Sequence, residues 1–138
     1  MWEALRNAYF VVTVDDPAQL ITITRTAVPF SSAQEAMTEW EAVNAALDRA
    51  GRKERSLLAD LRLGPARNDP DFEKAMRKVV ARLHNGFRRN AVLVRMAAGA
   101  LQIRRHARED GVERLVTDSE EAAQSYLRDG GPANAGRR

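Results

Sequence analysis

Cysteine is absent from the chain, which excludes disulfides, thiolate nucleophiles and Cys-ligated zinc and makes a reducing compartment the simpler expectation. Histidine is nearly absent too. His84 and His106 alone leave little material for metal binding or acid–base chemistry. Aromatic residues amount to 6%, and Trp40 and Phe87 read as core, so no exposed rings interleave with the basic residues to stack nucleobases. That argues against nucleic acid as a partner. No apolar run approaches the roughly 18 residues of a membrane span, and no charged leader with an apolar core opens the sequence. A cytoplasmic protein without a transmembrane segment is expected.

What is present suffices for one core. A chain of 138 residues with 44% hydrophobic content buries roughly 68% of its unfolded surface. We expect a single domain over residues 1–127 and a disordered C-terminal tail over 128–138, whose Gly, Pro, Ala and Asn have nothing to bury. Charge is distributed unevenly. Residues 1–73 carry eight Lys/Arg against twelve Asp/Glu, residues 74–108 ten against none, and residues 109–138 four against seven. Such a basic band suits an anionic surface, although Arg-rich helix faces are by default solvated and neutralised by neighbours.

Pattern supplies the elements. Residues 8–14, rich in β-branched and aromatic side chains, end at Asp15-Asp16-Pro17, and Leu20-Ile21-Thr22-Ile23-Thr24-Arg25 alternates apolar with polar. Together they predict a β-hairpin. Ser32 with Glu35, or Ser31 with Gln34, forms a capping box for a helix running to Gly51, with Trp40, Val43 and Leu47 inward and Asn44 as a satisfied buried amide. Residues 56–61 read as a strand buried on both faces. Asp69-Pro70 starts a second helix, whose Phe72, Met76, Val79, Val80, Leu83 and Phe87 share one stripe opposite Lys74, Arg77, Lys78 and Arg82. Ala91-Val92-Leu93-Val94 is a second buried strand, central in its sheet. A short helix over residues 100–108, a minimal strand Leu115-Val116-Thr117 and a last helix capped by Asp118 and Glu121 complete the order.

The expected class is α/β, a mixed sheet of about five strands in the order ββαβαβαβα with four helices and right-handed crossovers. The hairpin, the run Leu57-Leu58-Ala59-Asp60-Leu61-Arg62 before a loop into a helix, Ala91-Val92-Leu93-Val94 and Gly99-Ala100-Leu101-Gln102 resemble a STAS-type domain over about residues 8–127. This is the sulfate-transporter and anti-sigma-factor-antagonist superfamily, in its loose bacterial branch. The resemblance implies a STAS-like fold and a non-enzymatic module that binds a partner protein in regulation or signalling, with some members binding nucleotides or lipids. One departure stands out. Phospho-switched antagonists carry a Ser or Thr before the second helix, whereas residues 63–70 here contain no hydroxyl, so that switch is expected to be missing.

Candidate site residues follow from strand ends. Asp60 and Arg62 end the third strand, Arg67, Asn68 and Asp69 fill its loop, and Arg95 ends the fourth, so all six share the carboxyl-terminal edge where open α/β sheets bind ligands at a switch in strand direction. A guanidinium fork, an amide and carboxylates there suit a charged partner protein or a small anionic ligand, nucleotide or lipid headgroup. For catalysis there is no nucleophile beside a base, no Gly-x-Ser-x-Gly elbow and no phosphate-cradling loop. No catalytic residue, metal ligand or cofactor is expected. A homodimer could form through the hairpin edge or the short last strand, either of which would offer an unpaired ladder.

Overall fold

The structure, a computed structural model, describes residues 1–65, 70–95 and 110–130. Among these described residues six strands and three helices follow in chain order: β1 Trp2–Arg6, β2 Phe10–Asp15, β3 Leu20–Arg25, α1 Ala33–Ala50, β4 Ser56–Asp60, α2 Pro70–His84, β5 Asn90–Leu93, β6 Leu115–Thr117 and α3 Glu120–Asp129. The α/β class with a mixed sheet is as expected. The strand count is not. Trp2–Arg6, read from sequence as a lead, is an additional strand antiparallel to β2, with an irregularity between Glu3 and Leu5. The helix expected over residues 100–108 lies outside the described residues, as does the tail from 131.

Strands lie in the sheet in sequence order, β1 to β6. β1, β2 and β3 are antiparallel, and β3, β4, β5 and β6 run parallel. Because winding never reverses, the sheet has no topological switch point. The expected crevice at a reversal of strand order is thus replaced by a continuous rim, whose upper side is the C-terminal ends of β3 to β6.

Local chemistry accounts for the elements. The Asn7 side-chain oxygen accepts from the backbone N–H groups of Tyr9 and Phe10, both at 2.9 Å, and turns β1 into β2. Ser32 caps α1 by accepting from Glu35 N at 3.0 Å, while the Glu35 carboxylate reaches back to Ser31 N at 2.9 Å. α3 is capped by Ser119, which accepts from Ala122 N at 3.1 Å, one residue beyond the expected Asp118. It continues to Asp129, past the expected start of the tail, and ends on Gly130 in the left-handed region.

Two layers of side chains hold the sheet. On one face Phe10, Val12, Ile21, Ile23 and Leu57 pack under α1 and α2, with the Trp40 ring 4.5 Å from Phe10. Consecutive crossovers of one hand put both helices there. On the other face, Ala123, Tyr126 and Leu127 of α3 cover Leu58, Ala91 and Leu93. β5 lies between β4 and β6 with all four residues buried, the central position expected for it. Asn44 is satisfied within the core, donating to Val79 O at 3.4 Å and accepting from Arg52 at 3.2 Å.

The hairpin edge proposed for a second copy is taken by β1. At the outer strand the Ala4 carbonyl accepts from Arg49 of α1 at 3.3 Å, beside the irregular pairing, so that edge is blunted.

Candidate functional site

Asp60 is the last residue of β4, in register with Thr24 of β3 and Leu93 of β5. Its carboxylate receives a two-pronged contact from Arg62, Nε to Oδ1 at 3.0 Å and Nη2 to Oδ2 at 2.8 Å, and the Arg62 backbone N–H adds a third bond at 3.2 Å. Burial by itself would raise the Asp60 pKa, but the hydrogen bonds and charge of Arg62 outweigh it and hold the carboxyl below its ordinary value. Arg62 is raised in turn, chiefly by its bond to Asp60. Its Nη2 also reaches Glu120 at the start of α3, at 3.2 Å. One guanidinium therefore ties the β4 loop to the helix on the far face. It remains 39% exposed in its side chain, so its outer surface is available to a partner.

Leu63, the residue after Arg62, is 59% exposed, and Val28, in the loop after β3, is 42% exposed. Arg95 lies just past β5, exposed and without an ion-pair partner among the described residues. The edge thus brings Asp60, Arg62 and Arg95 to one rim, while Arg67, Asn68 and Asp69 lie outside the described residues.

Arg25 was missed by sequence reasoning and belongs to the same rim. It ends β3 on the inward parity of Ile21 and Ile23, is buried, and lies over the Phe30 ring at 4.1 Å with Phe10 at 5.5 Å and Tyr9 at 5.8 Å. The signal was available. A polar residue at an inward position of an alternating strand is a buried one.

The opposite, N-terminal edge of the parallel strands holds a sealed polar cluster. Asn90 at the start of β5 donates its amide to His84 O at 3.0 Å, which turns its oxygen to the His84 ring Nδ1, also at 3.0 Å. The imidazole must carry its proton on Nδ1. Burial first, then the nearby Arg114 charge, push His84 down to about 3, so the ring is neutral. Arg114 is itself sealed, pairing with Asp110 Oδ1 and Oδ2 at 2.6 and 2.5 Å. Beside this cluster a cavity of about 360 Å³ opens between Arg88, Arg89, Glu113, Tyr126 and Asp129. Arg89 is partly engaged there, donating to the Leu127 carbonyl at 3.2 Å.

The basic band is partly neutralised. Arg82 bridges Glu41 at 2.7 Å and Asp48 at 2.9 Å on α1, whereas Lys74, Lys78 and Arg88 are exposed without an ion pair among the described residues. His106 and the other arginines of residues 96–109 lie outside them. Among the described residues no group of three or more His, Asp or Glu is placed to hold a metal ion, and no helix is long and apolar enough to cross a membrane.

Comparison with protein-family models, curated proteins and solved structures gives no significant match.

Proposed function

We propose that this protein is a non-enzymatic, STAS-like interaction module that captures a partner protein through the C-terminal edge of its parallel strands, as an adaptor in bacterial cytoplasmic regulation. The observation that carries the reading is the exposed Leu63 directly after Arg62, whose fork is fixed by Asp60 and Glu120. An apolar anchor beside a positioned Arg is the composition of an interface core, and a side chain that ordered has little entropy left to lose on binding. The fold order and the hairpin, β4 and β5 segments behind the STAS resemblance are compatible with it. The lack of a hydroxyl in residues 63–70 supports an adaptor without the phosphorylation switch.

The test is a pull-down from lysate of the source cell with the intact protein and with Leu63→Asp as bait. A protein held by the first and lost by the second, with both baits equally stable, supports the reading. Equal retention by both overturns this edge as the interface. Leu63 is the better probe than Arg62, because charge reversal at Arg62 would place three carboxylates together and disturb the loop for structural reasons.

The cavity flanked by Arg88 and Arg89 favours a second reading, binding of a small anionic ligand, nucleotide or lipid headgroup. A rise in melting temperature with such a ligand, abolished by Arg88→Ala, would promote it. No rise with nucleotides or anionic lipid headgroups would remove it.

A further inference from the structure

Arg25 is the one charged side chain at the C-terminal edge that is both buried, at 5% exposure, and without a carboxylate among the described residues. Its stem lies under the loop after β4: a Cβ on Gly64 would come 2.9 Å from Arg25 Cγ. Its guanidinium is fixed on one side only. Nη1 donates to Thr26 O at 2.8 Å and Tyr9 O at 3.4 Å, and Phe30, Phe10 and Tyr9 hold the plane. Nε and Nη2 have no hydrogen-bond partner among the described residues. The described side-chain nitrogens that are both sealed and unbonded are those of Arg55 and Arg114 at the opposite edge, and Nε and Nη2 of Arg25 are not among them.

A desolvated guanidinium with no anion is costly, and burial lowers its pKa accordingly. Two parallel N–H donors match the two oxygens of a carboxylate. No second cation lies over these rings among the described residues, so the cage itself supplies the single charge of Arg25, which equals that of a carboxylate and falls short of a phosphate dianion. Leu63 adjoins the Gly64 contact and is exposed.

We infer that the Nε and Nη2 groups of Arg25 form a recognition site for a single carboxylate of a bound protein, an Asp or Glu side chain, with an adjoining bulky apolar residue seated on Leu63. The inference rests on the interaction reading of this edge and names the chemistry of its partner.

The experiment uses the full-length protein, ¹⁵N-labelled, and follows the arginine Nε–H resonances by NMR. Sodium acetate, inorganic phosphate, and the capped dipeptides acetyl-Leu-Glu-amide and acetyl-Leu-Gln-amide are titrated at constant ionic strength. The expected result is a saturable shift of the Arg25 Nε–H with acetate, and binding of the Glu dipeptide about tenfold tighter than the Gln one, the scale of a charge-assisted pair over a neutral one. Arg25→Lys keeps the charge, removes the fork and should erase the difference. An Arg25 signal unmoved by acetate and by the Glu dipeptide overturns the site, as does a stronger response to phosphate than to either carboxylate. The wild-type titration decides the matter even if Arg25→Lys does not fold. Carboxylate binding at Arg25 with no protein captured in the pull-down would keep the anion site and remove the interaction module. Capture without any Arg25 response would do the reverse.

Discussion

The two edges of the sheet use the same residue types to opposite ends. At the N-terminal edge Arg114 has no side-chain exposure and Asp110 has 8%, with His84 and Asn90 buried alongside, so the charges of this cluster are turned inward. At the C-terminal edge, Arg62 is 39% exposed on an Asp60 of 18%. An Arg–Asp pair is thus no sign of function in itself. What differs is whether the guanidinium keeps a surface that another molecule can reach. The sealed pair closes on itself within the segment entering β6, and the open edge holds its fork in place while leaving it available.

The sharpest way to break the comparison is to remove the same residue type from each edge. Asp110→Ala leaves the Arg114 charge buried without its partner, and we expect a loss of about 3–5 kcal/mol by chemical denaturation. Asp60→Ala at the open edge should cost only about 1 kcal/mol, because solvent screens the exposed Arg62. Equal losses would mean that the two edges do not differ in kind.

Acid sharpens the same contrast. The folded protein holds His84 at about 3 against an ordinary 6.5, so as pH falls below 6.5 the unfolded state takes the proton first. The stability contributed by the neutral ring is complete above that pH and is lost on acidification, by up to about 1.4 kcal/mol per pH unit. Carboxylates held low by arginines, Asp60 among them, lose their contribution only further down, below the ordinary carboxylate value. Denaturation of the wild type and of His84→Gln between pH 6.5 and 5 separates the two. The wild type should fall and the variant should stay level, whatever its starting stability. A wild-type curve as flat as the variant's would show that the ring is not sealed.

Between these lies Gly64, where the open edge is packed. An Ala side chain there meets Arg25 Cγ at 2.9 Å, a stem atom that cannot swing away without moving the ring cage. We expect Gly64→Ala to cost about 1–2 kcal/mol through overpacking. The Arg25 Nε–H resonance should shift at the same time. A neutral substitution would show that the loop is not seated on Arg25.

Much of the architecture was legible because local pattern and tertiary context agree. Leu20–Arg25 alternates as a half-buried strand should, α1 begins at its Ser32 cap, and the buried Met76, Val79 and Leu83 fall on one stripe of α2. β1 was not legible. Glu3, Ala4, Leu5 and Arg6 are helix formers, and their extended state comes from pairing with β2 across the Asn7 turn, which outweighs their own preference. Ser119 displaced Asp118 as the cap of α3 because both are good caps and only geometry decides between them. At the open edge the Asp60 and Arg62 contact could be read from adjacency, whereas Glu120, 58 residues away, could not. His84, in the last turn of α2, is buried because Asn90, six residues on, folds back to satisfy it.

The smallest expected effects decide whether the open edge is a surface or merely a loop. Leu63 is 59% exposed, so Leu63→Ser should change stability by less than about 0.5 kcal/mol. Glu120→Ala removes a 3.2 Å contact between exposed groups and should cost no more than about 0.5 kcal/mol. Their effects on partner capture should nevertheless diverge. Leu63→Ser takes away the apolar anchor and should abolish retention, while Glu120→Ala only loosens the Arg62 fork, which Asp60 still grips through two side-chain bonds, and should weaken retention. If Leu63→Ser destabilises the protein by more than about 1 kcal/mol, beyond the range of an exposed site, the loop is part of the core. The contrast between a sealed edge and an open one would then fail at its clearest point.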